Sequence, residues 1–133
     1  MKKVIAIALP AVICLFILSG CSKFEDGPKF SILSKKARLC NKTWTYTSET
    51  YLGTGIINTS AFSNNNWEFT KEGDFTFISF GVTVNGTWEF SGDTGLIITY
   101  LGTSLTYKIM RLTSKELKLR DDAETVELLM EPK

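Results

Sequence analysis

The sequence predicts an all-β domain built from eight antiparallel strands. After residue 20 the chain holds 16 Thr and 15 aromatic residues among 113, and both types favour strands. Glycine and Asn-Gly turn signals recur at short intervals, so most connections between strands are of hairpin length. Short connections place successive strands side by side and antiparallel. A chain of this length supports one small domain.

The first 20 residues are not part of that domain. Lys2 and Lys3 precede an apolar run over residues 4–18, which is too short to span a membrane and is typical of a secretory signal. The run ends in Leu18-Ser19-Gly20-Cys21, which resembles the lipobox of bacterial lipoproteins. In that class the Cys is diacylated and becomes the new N-terminus. The resemblance therefore implies a lipid anchor on Cys21, and several acyl chains on one residue make release negligible.

Residues 21–32 are predicted to form the lipidated Cys and a tether, and residues 33–133 the domain. The tether is polar and contains a Gly27-Pro28 breaker. Glu25 and Asp26 resemble the acidic export signal that some Bacteroidota lipoproteins carry after the lipidated Cys. In those proteins it directs display on the outer face of the outer membrane. We therefore expect an outer-membrane lipoprotein, on the periplasmic face or at the cell surface.

One short helix is predicted before the strands. Ser34 is placed to cap a helix over residues 35–39. Its apolar side consists of Leu33, Ala37 and Cys40, and its two lysines are predicted to face solvent. Cys40 is the thiol left for the domain, and an apolar neighbour favours a buried side chain over a reactive nucleophile.

The eight predicted strands follow the helix at fairly even spacing. They cover residues 43–51, 65–71, 74–80, 83–91, 95–101, 104–112, 115–120 and 124–131. Apolar and polar residues alternate most cleanly in the last two, so one face of each is buried and the other is wet. The segment 52–64 is too long and too polar for a hairpin turn. Loops of that length are usually functional or disordered.

The composition also excludes classes of function. Once the leader is removed, 13 basic and 14 acidic residues remain, so no nucleic-acid surface is predicted. The chain has no His, the commonest general base and metal ligand. Glu68 and Glu89 recur in a Trp-Glu-Phe repeat, but alternation directs both toward solvent. We therefore expect a protein that is not an enzyme, with no catalytic residues, no metal site and no cofactor.

Four stretches resemble the lipocalin-like lipoproteins common in Bacteroidota. They are LCNKTW at 39–44, WEF at 67–69 followed by GDFTF at 73–77, GTWEF at 86–90 and the Leu-alternating segment 109–119. The resemblance implies a lipocalin-like up-and-down barrel, which has no free sheet edges. In such folds the first Trp plugs the closed end, which implies that role for Trp44, although Lys42 stands where the family usually has Gly. An antiparallel β-sandwich is the alternative.

A barrel of eight strands is just wide enough to be filled by its own side chains or to hold one small ligand, and the sequence leaves both open. The leading hypothesis is a binding module for a small apolar or amphipathic molecule near the membrane. The ligand would enter at the mouth, under the loop of residues 53–64. Tyr46, Tyr51, Phe62 and Tyr100 are predicted to line its site.

A second class of function is a structural one. Ile78, Phe80 and Ile97 are predicted to leave an apolar patch on the outer surface, where alternation is less clean. In this hypothesis the barrel is a lipid-tethered accessory subunit that docks on another envelope protein through this patch.

Overall fold

A closed antiparallel β-barrel forms the body of the protein. The computed structural model describes residue 24, residues 32–59 and residues 64–133. Its elements are α1 (Lys35–Leu39), β1 (Thr43–Tyr51), β2 (Ile56–Asn58), β3 (Asn65–Phe69), β4 (Asp74–Ser79), β5 (Val82–Ser91), β6 (Gly95–Tyr100), β7 (Thr103–Leu112), β8 (Leu117–Asp121) and β9 (Val126–Pro132). No helix within these ranges is long and apolar enough to cross a membrane. The predicted leader, the Cys21 anchor and Phe62 lie outside the described residues.

Eight strands close the barrel in sequence order. From β3 to β9 each strand pairs with the next, and β1 pairs with both β3 and β9. The closing ladder runs from Trp44 opposite Pro132 to Tyr51 opposite Val126. Closure removes the free edges that a sandwich would leave. The predicted eight-stranded antiparallel barrel is confirmed, and the β-sandwich alternative is wrong.

The largest departure from the predicted elements lies in the segment 52–64. Its residues Ile56–Asn58 form β2, which pairs with the end of β1, Glu49 lying opposite Asn58. A strand of three residues is too short to be recognised from the alternation of apolar and polar residues. Phe80, predicted as a strand end, instead occupies a hairpin turn with φ 47°. The last two strands begin at residues 117 and 126, two residues later than predicted in each case.

The barrel has two ends with different connections. The closed end contains the β3–β4, β5–β6 and β7–β8 turns and the start of β1. The open end contains the β1–β2, β4–β5, β6–β7 and β8–β9 turns. This division follows from the antiparallel strand order.

The helix α1 lies across the closed end. It begins as predicted, because the Ser34 hydroxyl accepts from the Ala37 N–H at 3.1 Å. Its buried side differs from the prediction and consists of Arg38, Leu39 and the C-cap residue Cys40. Leu33 is exposed, because α1 is only five residues long and turns its second half toward the barrel.

Basic side chains tie α1 to three parts of the closed end. The contacts are Lys35 Nζ to Gly92 O at 3.1 Å, Lys36 Nζ to Lys71 O at 2.9 Å and Arg38 Nη1 to Leu112 O at 2.7 Å. The prediction that the two lysines face solvent is confirmed for Lys36, which is exposed, whereas Lys35 is half-buried. Their hydrogen bonds to turn carbonyls were not predicted. Turn carbonyls have no partner in the strand ladder, and the ammonium groups supply one.

The core fills the closed half of the barrel. Trp44 is fully buried beneath α1, and its indole N–H donates to Leu39 O at 2.9 Å. The plug role implied for Trp44 stays a prediction. Cys40 is buried, its Sγ lies 3.5 Å from Thr70 O, and burial raises the pKa of its thiol. A protonated, buried thiol is a poor nucleophile.

Candidate functional site

A small aromatic cavity lies inside the barrel, between the core and the open end. Its volume is about 80 Å³. The lining side chains are all aromatic and come from five strands: Tyr46, Trp67, Phe75, Phe77, Tyr100 and Tyr107. They occupy inward positions of the alternating strands. Among the described residues, none that lines the cavity carries a charged side chain.

Trp67 is the hub of this aromatic wall. Its ring contacts Tyr46, Phe75 and Tyr107 edge to face, with centroid distances of 5.5, 5.3 and 5.8 Å. Trp67 is 5% exposed, yet its indole N–H makes no hydrogen bond within the described part of the chain. The indoles of Trp44 and Trp88, by contrast, both donate to backbone carbonyls at 2.9 Å. The Trp67 N–H is not among the fully buried atoms without a partner in the described residues, so it is open to the cavity and can donate to a molecule there.

Three tyrosine hydroxyls also belong to the cavity. Burial, followed by the proximity of Tyr107 and Tyr100, raises the pKa of Tyr46 well above its ordinary value. Burial and the proximity of Tyr100 raise the pKa of Tyr107 to about 12. Both phenols are therefore uncharged at neutral pH and keep an O–H to donate.

Two carboxylates stand on the inner face of the barrel at its mouth. A bulge between Tyr46 and Ser48 brings Glu49 onto this face, opposite the buried Leu128. The Tyr51 hydroxyl donates to Glu49 Oε2 at 3.3 Å. Electrostatic repulsion from Glu49 is the smallest of the four contributions to the raised pKa of Tyr46, after burial and the proximity of Tyr107 and Tyr100.

Asp121 is the second mouth carboxylate and lies opposite Tyr107 in the β7–β8 ladder. Its oxygens accept from Thr125 N at 2.7 Å, from Thr125 Oγ1 at 2.6 Å and from Val126 N at 2.8 Å. Partial burial raises the pKa of Asp121, but these hydrogen bonds outweigh it, so the net pKa is lowered. The group is ionised at neutral pH.

The structure brings together two of the four ligand-lining residues predicted from the sequence. Tyr46 and Tyr100 share the cavity. Tyr51 is 42% exposed and lies apart from them, in an open groove of about 560 Å³ between the β1–β2 and β8–β9 turns. The fourth, Phe62, lies outside the described residues. The sequence analysis did not identify the other four lining residues, although alternation places each at an inward position; they are Trp67, Phe75, Phe77 and Tyr107.

Gly86 sets one wall of the cavity. It pairs with Phe75 on one side and with Tyr100 on the other. A Cβ at this position would meet Thr99 O and lie 2.8 Å from Tyr100 Cβ. The absence of a side chain lets the Phe75 and Tyr100 rings approach to 6.0 Å across it. The resemblance placed Gly86 in a strand motif but gave it no part in the site.

An apolar rim surrounds the open end. We use this name for the exposed side chains of Leu52, Ile56, Ile57, Phe80, Val82 and Leu101. Phe80-Gly81 and Leu101-Gly102 are two-residue turns with positive φ at both positions, the type I′ geometry in which Asn or Gly normally takes the first position. Phe80 is 75% and Leu101 79% exposed.

The remaining sequence candidates face the outside of the barrel. Ile78 is half-buried on the outer surface near the exposed Phe80. Ile97 is also half-buried on the outer surface, but it lies opposite Glu89 and beside the β3–β4 turn, toward the closed end. The prediction of one apolar patch that joins Ile97 to Ile78 and Phe80 is therefore wrong. Glu68 accepts from Thr43 Oγ1 at 2.7 Å and Glu89 is exposed, so neither carboxylate reaches the cavity. Among the residues described, no group of three or more Cys, Asp or Glu is placed to hold a metal ion.

The fold is similar to two solved structures. A lipocalin-like protein from Bacteroides uniformis ATCC 8492 matches with a TM-score of 0.61 and 17% identity, over 71% of this chain and 97% of that chain. A DUF4847 family protein from Bacteroides vulgatus ATCC 8482 matches with a TM-score of 0.54 and 14% identity, over 70% of this chain and 93% of that chain. No protein-family model and no curated protein matches the sequence. The likeness shows a lipocalin-like fold, as the resemblance implied.

Proposed function

We propose that this protein is a non-catalytic binding protein that takes one end of a small apolar or amphipathic ligand into its barrel. The observation that carries the proposal is the aromatic cavity, which lies below an apolar rim. The Trp67 indole in its wall donates to no group of the described residues and is open to the cavity. Barrels of eight strands accommodate one small ligand at most. Neither of the two mouth carboxylates, Glu49 and Asp121, is among the described residues that line the cavity.

The cavity volume limits how much of the ligand enters. About 80 Å³ is far below the roughly 300–1,000 Å³ of pockets that enclose a drug-sized molecule. It corresponds to two or three water molecules. The barrel therefore holds a terminal group, and the rest of the ligand lies at the open end, where the apolar rim and the groove beside Tyr51 provide apolar surface.

We further propose that the protein acts at the cell envelope, held by a lipid on Cys21. The signal-like leader and the lipobox support this placement. Phe24, three residues after Cys21, is buried, and its ring lies 5.6 Å from the Arg38 guanidinium at the closed end. Three residues span about 10 Å at most. A lipid on Cys21 would hold the closed end near the membrane and leave the open end facing away from it.

Native mass spectrometry of residues 22–133, which lack the proposed lipid anchor and are purified from the protein's own host without added detergent, tests the binding proposal. We expect a reproducible mass excess that disappears on denaturation, and extraction of that material identifies the ligand class. Trp67→Leu should reduce the occupied fraction, whereas Thr106→Val, on the outer face of β7, should not. A bare mass, together with no stabilisation by any member of a library of small apolar compounds, overturns the proposal.

Docking on an envelope protein is the second candidate function. The exposure of Phe80 beside the half-buried Ile78 favours it, because exposed large apolar side chains mark interaction sites. A partner should then co-purify from detergent extracts and be lost on Ile78→Asp or Phe80→Asp. An identical set of co-purifying proteins from both variants and the wild type removes this candidate.

A further inference from the structure

We propose that the group taken into the aromatic cavity is an uncharged hydrogen-bond acceptor, such as a ketone, aldehyde or ester carbonyl, and that the ligand binds with this polar end inward and its apolar chain on the rim. The inference rests on the proposed binding function and names its ligand class. It also fixes the orientation of the ligand.

The first support is the set of donors in the cavity wall. The indole N–H of Trp67 and the hydroxyls of Tyr100 and Tyr107 make no hydrogen bond within the described residues. The raised pKa of Tyr107 keeps its hydroxyl protonated. None of these three donors is among the fully buried atoms without a partner in the described residues, so solvent in the cavity can reach them. A ligand that displaces this solvent with a purely apolar group would leave the donors unpaired, so it is expected to supply an acceptor.

The second support is the charge at the mouth. Glu49 and Asp121 lie on the inner face, and no Lys or Arg lines either the cavity or the groove in the described part of the chain. Residues 60–63, Ser-Ala-Phe-Ser, add no charge to the loop. The nearby Arg120 faces outward and pairs with Glu127 at 3.0 Å. A carboxylate ligand would therefore meet two negative charges and no positive one.

The third support is the position of the apolar surface. The rim residues are exposed at the tips of the open-end hairpins, outside the cavity. A ligand that entered tail first would place its polar end against Phe80 and Leu101 and leave the cavity donors unpaired. A ligand that enters head first satisfies the donors and covers the rim with its chain. The polarity of the site is thus inverted relative to a tail-first binder.

An ammonium head group fits the two carboxylates but not the cavity itself. Its N–H groups could donate to the tyrosine hydroxyl oxygens but would offer no acceptor to the Trp67 N–H. A strongly hydrated cation is also costly to bury among aromatic rings. An alkylated ammonium would gain cation–π contacts and is the strongest competitor. It would still leave the Trp67 donor unpaired.

Isothermal titration calorimetry with three matched probes tests the inference on the purified protein. The probes are 2-octanone, octanoate and octyltrimethylammonium, all below concentrations at which they form micelles. We expect 2-octanone to bind at least about tenfold more tightly than either ion, a difference of about 1.4 kcal/mol. Tighter binding of either ion overturns the inference and leaves the binding function standing. Binding of none of the three overturns both.

A hydroxyl deletion tests the role of the donors. Tyr107→Phe keeps the ring and removes one donor, so we expect it to weaken 2-octanone binding about tenfold. Thr106→Val removes an exposed hydroxyl from the outer face of the same strand and should leave the affinity within about twofold. Thermal melts of both variants establish that each is folded. Equal affinity in Tyr107→Phe and wild type contradicts the inference.

The head-first orientation of the ligand is tested by varying the length of its alkyl chain and by replacing residues of the apolar rim. In the wild type, affinity should rise from 2-butanone to 2-octanone, because each added methylene lies on apolar surface. Combined Phe80→Asn and Leu101→Asn replacements should remove most of that rise while leaving 2-butanone binding unchanged. A rise with chain length that survives both replacements shows that the chain lies elsewhere and overturns the head-first orientation.

Discussion

The two ends of the barrel treat their polar and apolar groups in opposite ways. At the closed end, the indoles of Trp44 and Trp88 donate to carbonyls, and Lys35, Lys36 and Arg38 reach backbone oxygens. At the open end, large apolar side chains are exposed and the cavity donors of Trp67, Tyr100 and Tyr107 face no acceptor in the described residues. The polar groups of the closed end are paired, which stabilises the fold. The open end exposes apolar side chains and leaves donors without a protein partner, features that are expected at a binding site.

The backbone repeats this contrast. Positive φ at the closed end belongs to Asn41, Gly73 and Gly92, residues that adopt it readily. At the open end Phe80 and Leu101 take φ values of 47° and 50°. Bulky side chains in this region are strained, and neither residue gains burial in return. Because this backbone strain is not offset by burial of the Phe80 and Leu101 side chains, it favours a role for them in binding another molecule.

Replacing Trp44 should have the largest effect on stability. Trp44→Ala removes a fully buried indole and its hydrogen bond to Leu39 O, and we expect a loss of about 3–5 kcal/mol in the free energy of unfolding, measured with urea. Tyr51→Ala, at the open end, should lose about 1 kcal/mol or less. Equal losses at the two sites would contradict the division between the ends.

The fold could be predicted because it depends on local patterns. Hairpin-length turns and alternating strands fix an antiparallel neighbour order, and the Ser34 cap fixes the start of α1. Three features could not be predicted this way. β2 is too short to alternate, the Phe80-Gly81 turn lacks the usual Asn, and the lysines of α1 meet their carbonyl partners only after the barrel closes.

The site was predicted in part for a related reason. Tyr46 and Tyr100 follow from alternation and from nearness to the mouth. Tyr51 belongs to a separate groove, because its strand continues past the bulge at Tyr46/Ser48 to the rim. Whether the Trp67 side chain packs in the core or lines the cavity depends on its height, that is, its position along the barrel axis. Height is set by strand stagger, a property of the closed structure that one sequence does not display.

Removing the Arg38 guanidinium tests how much its hydrogen bond to the closed end stabilises the protein. Arg38→Met keeps the stem but leaves Leu112 O without its 2.7 Å donor, so we expect a loss of about 1.5–3 kcal/mol. Lys36→Met removes a solvent-exposed donor and should change the free energy of unfolding by about 0.5 kcal/mol or less. Urea unfolding of the two variants makes the comparison. A larger loss in Lys36→Met would show that α1 is held from its outer side.

Adding one methyl group at Gly86 should disturb the cavity more than the core. The new Cβ would meet Thr99 O and Tyr100 Cβ, and relieving that overlap moves the Tyr100 ring, at a cost of about 1–3 kcal/mol. Gly53→Ala is the matched control, because no atom lies within 4 Å of its added Cβ. Unfolding in urea and the near-ultraviolet circular dichroism of the aromatic cluster report the two effects. An unchanged aromatic spectrum in Gly86→Ala would remove Gly86 from the cavity wall.

Converting the open-end turns to Asn-Gly gives the smallest effect and the clearest test of the contrast. Asn tolerates positive φ better than Phe or Leu does, so Phe80→Asn and Leu101→Asn should each raise the free energy of unfolding by about 0.5–1 kcal/mol. Exposed side chains lose little packing when shortened. Chemical denaturation of the single variants measures the gain. If both variants are less stable than the wild type, Phe80 and Leu101 stabilise the turns that hold them, and the open end follows the same design as the closed one.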